Sequence, residues 1–218
     1  MKDGICYIIG AGDWYPFPFD KGDKDMLIAV DGGYDTVRKL GMIPDVIVGD
    51  FDSVEQIPEE GNIIRLNPIK DETDMLYAVQ YARNAGYRTC FLLGGTGGER
   101  ISHTIANVQI LSYYEDMRCF LFDQKEVLFL LRNEEVVFDK ECKGYISVFS
   151  LSDESAGVDE QGLKYELEHA CLKSSYPIGV SNEFIGVESR ISVKNGVLLL
   201  VTEQEQLQHI VTNLIPSR

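Results

Sequence analysis

The run Pro44-Asp45-Val46-Ile47-Val48-Gly49-Asp50-Phe51-Asp52-Ser53 sets two carboxylates one residue apart, just beyond a short β-branched stretch. Val46–Val48 suits a buried parallel strand, and ligands of open α/β sheets gather beyond the carboxyl ends of such strands. If the backbone stays extended, Asp50 and Asp52 point to one side and Phe51 to the other. Carboxylates held side by side repel unless a cation lies between them. An all-oxygen pair suits Mg²⁺, which keeps several waters and takes further ligands from phosphate. The competing reading is an acidic turn in which Asp52 and Ser53 bond their own backbone.

Lys70-Asp71-Glu72-Thr73-Asp74 opens a helical pattern. Thr73 or Asp71 can cap that helix, and Asp74 in its first turn is favoured by the dipole. Capping alone requires no ligand. A helix start with exposed N–H groups, a lysine and spare carboxylates can also hold phosphate oxygens and their metal. Leu93-Gly94-Gly95-Thr96-Gly97-Gly98-Glu99-Arg100-Ile101-Ser102-His103 leads from a strand into a helix. No Lys-Ser/Thr follows its last glycine, so it is not a Walker A loop. Arg100 can grip phosphate bidentately and offset transition-state charge; the plainer reading is a flexible loop with a solvated arginine. Gly10-Ala11-Gly12 follows the first strand, but Tyr15 breaks the dinucleotide fingerprint and excludes NAD binding by that route. Asp31-Gly32-Gly33 is another strand-end turn where backbone can approach a nucleotide. Gly179-Val180-Ser181-Asn182-Glu183-Phe184 combines small polar donors with an aromatic ring and suits a heteroaromatic ligand or an ordinary turn equally.

The elements that must position these groups follow from hydrophobic period. Cys6–Ile9, Met26–Val30, Val46–Val48, Ile63–Leu66, Thr89–Leu93 and Cys119–Phe122 read as strands. Gly33–Leu40, Thr73–Ala85 and Ser102–Tyr114 read as helices. In the second, Leu76, Val79 and Arg83 mark successive turns, Met75 and Ala82 flank the apolar face, and Gly86 supplies the stop; in the third, Ile105, Val108 and Leu111 share a face. After Phe122 the texture turns to strands: Glu126–Leu131, Glu135–Phe138, Tyr145–Leu151, Gly162–Tyr165 and Arg190–Thr202, the last a hairpin turning at Asn195-Gly196. A helix at Glu205–Leu214 ends the chain. The fold class is therefore α/β, with an N-terminal mainly parallel α/β sheet domain over 1–124 and a C-terminal antiparallel β domain over 125–218.

Composition narrows the function classes. The 218 residues suffice for one large domain or two small ones. No apolar run approaches the roughly 20 residues of a membrane span, and the N-terminus reads as a strand rather than a signal peptide, so cytoplasmic residence is expected. Five scattered cysteines without a Cys-x-x-Cys pair argue for buried reduced thiols. A net charge of −15 repels nucleic-acid phosphates. It repels free ATP as well, unless metal ions and local cations reverse the sign, and it attracts a small cation.

Taken in order, Asp31-Gly32-Gly33, Gly49-Asp50-Phe51-Asp52-Ser53, Lys70-Asp71-Glu72-Thr73-Asp74, Arg100-Ile101-Ser102-His103, Gly162-Leu163-Lys164-Tyr165 and Ser181-Asn182-Glu183-Phe184 resemble the thiamine pyrophosphokinase family over nearly the whole chain. The resemblance implies transfer of the terminal diphosphate of ATP to the hydroxyl of thiamine, with Mg²⁺. It implies an N-terminal catalytic domain, a C-terminal β-sandwich domain that binds thiamine, and a homodimer with sites between subunits. It places Asp50, Asp52, Asp71 and Asp74 around metal and phosphates, and Lys70 and Arg100 on phosphate. Asp31, Gly32, Gly33 and Thr73 are placed against ATP, and Ser102, Ser181 and Asn182 near thiamine. The family's Gly-Gly-Arg-x-Asp-His reads Gly98-Glu99-Arg100-Ile101-Ser102-His103 here, so a hydroxyl replaces the charged group expected beside the thiamine ring. Other readings of the same residues are a metal-dependent phosphotransferase on another heteroaromatic alcohol, or a thiamine- or nucleotide-binding regulator without catalysis.

Overall fold

The computed structural model describes residues 2–17, 21–51, 61–67, 69, 71–98, 100–206, 210 and 214. The chain divides into two compact units, Met1–Gln124 and Lys125–Ser217.

In the first unit, short apolar runs with every residue buried form β1 (Ile5–Ile9) and β2 (Met26–Val30). Then come α1 (Gly33–Lys39), β3 (Val46–Gly49), β4 (Ile63–Arg65), α2 (Asp74–Asn84), β5 (Thr89–Leu93), α3 (Ile101–Ile110) and β6 (Arg118–Phe122). All six strands run parallel in the order β6-β5-β1-β2-β3-β4. Such strands are buried on both faces, which is why they read as continuous hydrophobic runs rather than alternating ones. The shared register stacks Tyr7, Phe91 and Phe120 across β1, β5 and β6, with rings edge to face at 5.5 and 5.4 Å. Cys6, Cys90 and Cys119 line up one residue earlier.

α2 buries Met75, Ala78, Val79 and Ala82 and is capped by the Thr73 hydroxyl, which accepts from Leu76 N–H at 3.2 Å. It closes with Tyr87 N–H on the Ala82 carbonyl and Gly86 N–H on Arg83, the paired bonds that end helices at a left-handed glycine. α3 departs from its expected face. Ile105 is 57% exposed, whereas Asn107, Ile110 and Leu111 are buried. The helix packs by its Asn107 side, so the apolar spacing of Ile105 and Val108 misplaced the inner face.

The second unit holds β7 (Glu126–Arg132), β8 (Glu135–Phe138), β9 (Tyr145–Ser150), β10 (Glu154–Gln161), β11 (Leu167–Lys173), β12 (Asn182–Glu183), β13 (Ser189–Asn195) and β14 (Val197–Glu203). They form two antiparallel layers, β12-β9-β14-β7 and β11-β10-β13-β8, with Phe129, Leu131, Phe138, Ile146, Leu163 and Leu200 in the core. Arg190–Thr202 is not a hairpin. β13 pairs with β10 and β8, while β14 pairs with β7 and β9, so the chain changes layer at Gly196. The β7–β8 connection changes layer beside it at Asn133, whose side-chain oxygen accepts Gly196 N–H at 2.9 Å. Each corner thus holds the other.

β10 and β11 do not read as strands in the sequence, because register shifts flank Val158 and reset the alternation, and Gly157 and His169 take φ of 65° and 48°. Gly162–Tyr165 is not a strand; only Leu163 forms a bridge, to Phe184. The expected C-terminal helix lies largely outside the described residues, and Gln204–Gln206 forms a 3₁₀ turn. All five cysteines are unpaired, four of them buried and Cys171 exposed, against the expectation that all are buried. Among the described residues no helix is long and apolar enough to cross a membrane.

Candidate active site

Strand order decides where the first unit opens. From β1 the chain runs outward through β2, β3 and β4, then returns to β5 on the other side of β1. The connections beyond β1 and β5 therefore leave in opposite directions, and a crevice forms at this switch point. A cleft of about 350 Å³ lies there, lined by Gly10–Gly12, Asp31, Asp50, Thr73, Asp74, Gly94–Gly98, Arg100, His103 and Asn107 among others.

One wall is acidic. Asp31 and Asp50 stand just beyond the adjacent ends of β2 and β3, and Asp31 N–H donates to Val48 O at 2.9 Å. Asp31 adopts φ 47°, and a Cβ at Gly49 would fall on its Oδ1, so the glycine is what admits the carboxylate there. Asp74 joins them from the first turn of α2. Burial, then the neighbouring charges of Asp74 and Asp50, push the Asp31 carboxyl up to about 7 against the opposing effect of the Phe51 N–H. Asp31 Oδ1 is buried without a hydrogen-bond partner.

A divalent cation bound beside this wall would offset the repulsion and could give the orphaned oxygen a partner. Among the described residues no group of three acidic, histidine or cysteine side chains forms a finished metal cage.

The opposite wall suits anions. The loop Gly94–Gly98 leaves β5 with Gly94, Gly97 and Gly98 at φ 59°, 68° and 70°. It is seamed to the β1 exit by Gly12 N–H on Gly94 O at 2.8 Å and Asp13 N–H on Thr96 O at 3.0 Å. The Thr96 hydroxyl donates to Asp123 Oδ1 at 2.6 Å. The N-terminal ends of α2 and α3 both reach the cleft, and their unpaired N–H groups carry partial positive charge. Arg100, the N-cap of α3, is the one arginine or lysine among the described lining residues; Asp31, Asp50, Glu72 and Asp74 are its acidic counterparts. A polyphosphate entering this cleft thus requires cations in addition to Arg100.

The structure gathers Asp31, Asp50, Asp74, Thr73 and Arg100 on the cleft. Asp71 is exposed and outside the lining. Asp52 and Lys70 lie outside the described residues. The extended-backbone argument at Asp50 fails, because Phe51 is buried at φ 63° and the chain turns there. Gly32 caps α1, and a Cβ at Gly33 would fall on the Ile9 carbonyl, so these glycines seat α1 against β1 rather than lining the cleft. Ser102 is exposed on the first turn of α3, outside the lining.

In the second unit, Ser181 takes φ 58° and its N–H donates to Ser147 Oγ. Asn182 is buried and its amide is spent internally. Nδ2 donates to Glu160 Oε2 at 2.9 Å and Tyr165 O at 2.7 Å, while Oδ1 accepts Tyr165 N–H at 3.0 Å and Glu183 N–H at 2.9 Å. Sequence reasoning missed the carboxylate role of Asp31, the Gly10–Gly12 lining and Asn107. The first was legible as an acid directly after a buried strand, whereas the other two depend on strand order and helix rotation.

Comparison with known proteins agrees with this arrangement. Residues 21–121 match the model of the thiamin pyrophosphokinase catalytic domain, and residues 133–198 match that of the vitamin B1 binding domain of the same family. The thiamine pyrophosphokinase of Bacillus subtilis (strain 168) is 28% identical over 189 residues, covering 82% of this chain and 87% of the relative. A crystal structure of thiamine pyrophosphokinase from Bacillus subtilis superposes with TM-score 0.80 at 25% identity, over 92% of this chain and 98% of that one. One from Geobacillus thermodenitrificans gives 0.79 at 27% identity, over 91% and 97%. Two family domains in tandem, on a parallel sheet with an acid-lined cleft and a two-layer β unit, identify the chain as a member of the thiamine pyrophosphokinase family.

Proposed function

We propose that this chain transfers the terminal diphosphate of ATP to the hydroxyl of thiamine, releasing AMP, and does so at the cleft beyond β1 and β5. The observation that carries the reading is the meeting of Asp31, Asp50 and Asp74 opposite a glycine loop and an arginine, in a chain of this family. In this reading Asp50 and Asp74 hold Mg²⁺, and Asp52 and Asp71 belong to the same acidic set. Mg²⁺ held there would supply charge compensation to the phosphates. The thiamine hydroxyl loses its proton to Asp71 or Asp74, its oxygen bonds to the β-phosphorus, and the bond from that phosphorus to the oxygen bridging it to the α-phosphate breaks, so that AMP leaves. Arg100 and Lys70 contact phosphate, the glycine loop and helix N-termini receive phosphate oxygens, and Asp31 orients the acidic wall from its buried seat. Thr73 contributes by capping α2 and so aiming its first N–H groups. Positioning and electrostatics carry most of the acceleration in such transfers.

Thiamine is a cation, which an acidic surface attracts. The second unit supplies its seat near Ser181, with Asn182 shaping that segment rather than reaching the ring. Ser102 offers a hydroxyl from the start of α3. A homodimer is the proposed assembly, supported by exposed Tyr145, Ile178, Val180, Ile185 and Val187, an apolar set that a second copy would cover. Cytoplasmic residence is supported by five unpaired cysteines, and the net charge of −15 speaks against a nucleic-acid partner.

The test is incubation with Mg²⁺, ATP and thiamine, followed by product identification. Thiamine diphosphate and AMP in equal amounts are expected. ADP with thiamine monophosphate, or binding of both substrates without turnover, would overturn the reading.

A further inference from the structure

The glycine loop is held by its carbonyls. Gly94 O accepts from Gly12 N–H and Thr96 O from Asp13 N–H, both bonds between backbones of adjoining strand exits. The carbonyl between them has a different partner. Gly95 O accepts from Asn107 Nδ2 at 2.6 Å, and Asn107 is only 6% exposed, set in the second turn of α3 with its side chain on the cleft wall. In a trans peptide the N–H of one residue opposes the carbonyl of the residue before it. Fixing the carbonyls of Gly94, Gly95 and Thr96 therefore fixes the N–H directions of Gly95, Thr96 and Gly97, which belong to residues lining the cleft. The loop has no slack at this point: a Cβ on Gly95 would stand 2.8 Å from Leu121 Cδ1 and 3.2 Å from Asn107 Nδ2.

We infer that Asn107 is a positioning residue for nucleotide phosphate, acting through Gly95 O to aim the loop's N–H groups. A buried asparagine on an otherwise apolar inner helix face satisfies no partner on its own helix here; its amide is directed to the loop. Without that donor the Gly95 carbonyl loses its bond to α3, and Gly95, having no side chain, does not by itself hold the tilt of the Gly95–Thr96 peptide. The phosphate would then have to fix the loop itself, which weakens binding.

This inference rests on the nucleotide reading above, and the experiment separates the two. Asn107→Asp keeps the shape but removes the donor, and Asn107→Ala removes the side chain. In both, the KM for MgATP and the Kd of Mg-bound α,β-methylene-ATP, whose α–β linkage cannot be cleaved, should rise together by roughly tenfold. The KM for thiamine should stay within about twofold of wild type. In the wild-type protein the nucleotide analogue should slow amide exchange across Gly95–Gly98, a readout that needs no variant. A fall in kcat with unchanged nucleotide KM and Kd, or equal changes in both substrates' KM, would reduce Asn107 to a packing residue and overturn the inference. Absence of exchange protection in the wild type would overturn it as well. Wild-type protein that makes no thiamine diphosphate would instead defeat the functional reading.

Discussion

Asn182→Asp changes one atom's chemistry at a buried amide of the second unit, and its cost can be worked from four bonds. The two bonds accepted by Oδ1, from Tyr165 and Glu183 N–H, survive because a carboxylate oxygen accepts them equally. The two donated by Nδ2 become contacts between acceptors, facing Glu160 Oε2 at 2.9 Å and Tyr165 O at 2.7 Å. Glu160 is 2% exposed and already has Oε1 unpartnered, so it has no alternative donor among the described residues. Each buried group left unpaired costs about 1–3 kcal/mol, and a second carboxylate beside a buried one adds repulsion.

A loss of roughly 3–5 kcal/mol is therefore expected at about pH 8, a large share of a typical domain's stability. The deficit must shrink in acid. Burial raises the Glu160 carboxyl above its ordinary value, and the new neighbour pushes both groups further the same way. Such groups add stability below their unfolded pKa and lose it as pH rises through the folded one. Near pH 4, below the ordinary value from which Glu160 is raised, the pair holds a proton, one O–H donor returns, and the deficit should fall by about 1–2 kcal/mol. Urea unfolding followed by far-ultraviolet circular dichroism at the two pH values measures both quantities. A variant within about 0.5 kcal/mol of wild type at the higher pH, or a deficit that grows in acid, would refute this account of Asn182.

Three further outcomes follow, one at the same site and two elsewhere. Glu160→Gln keeps an oxygen for the Asn182 amide while removing a buried charge, so it should stabilise the protein by roughly 1 kcal/mol near pH 8 and by nothing near pH 4, read by the same unfolding curves. Gly33→Ala drives a Cβ onto the Ile9 carbonyl and should cost about 2–4 kcal/mol. Gly41→Ala, with nothing within 4 Å of its Cβ but φ 69°, should cost only about 1 kcal/mol; equal denaturation midpoints for the two would contradict the packing argument. Asp50→Asn should lower turnover by roughly a hundredfold or more with its circular dichroism unchanged, and near-normal thiamine diphosphate production would remove Asp50 from the machinery.

What the sequence determined by itself was local. β1, β2, β3 and β5 read as apolar runs because both their faces are buried, whereas the edge strand β4 is only partly buried, and β2 and β5 appear with the bounds read from pattern alone. The Gly86 stop and the change of texture after about Phe122 are likewise local signals, and the cap of α2 narrowed to Thr73 or Asp71, of which the structure uses Thr73. Asp50 and Asp74 were visible as acids at a strand end and a helix start. Only the tertiary structure decided that Asp31 joins them, because that depends on β2 and β3 being neighbours in register. It alone opened the cleft between the β1 and β5 exits, since strand order is a long-range property that no local pattern encodes. The same holds for Asn182, a polar residue three of whose four bonds reach Glu160 and Tyr165, distant in the chain, and for Gly196, where an Asn-Gly signal marks a corner between layers. Hydrophobic period states which residues face inward; which of them face one another is settled by the packing of the whole unit.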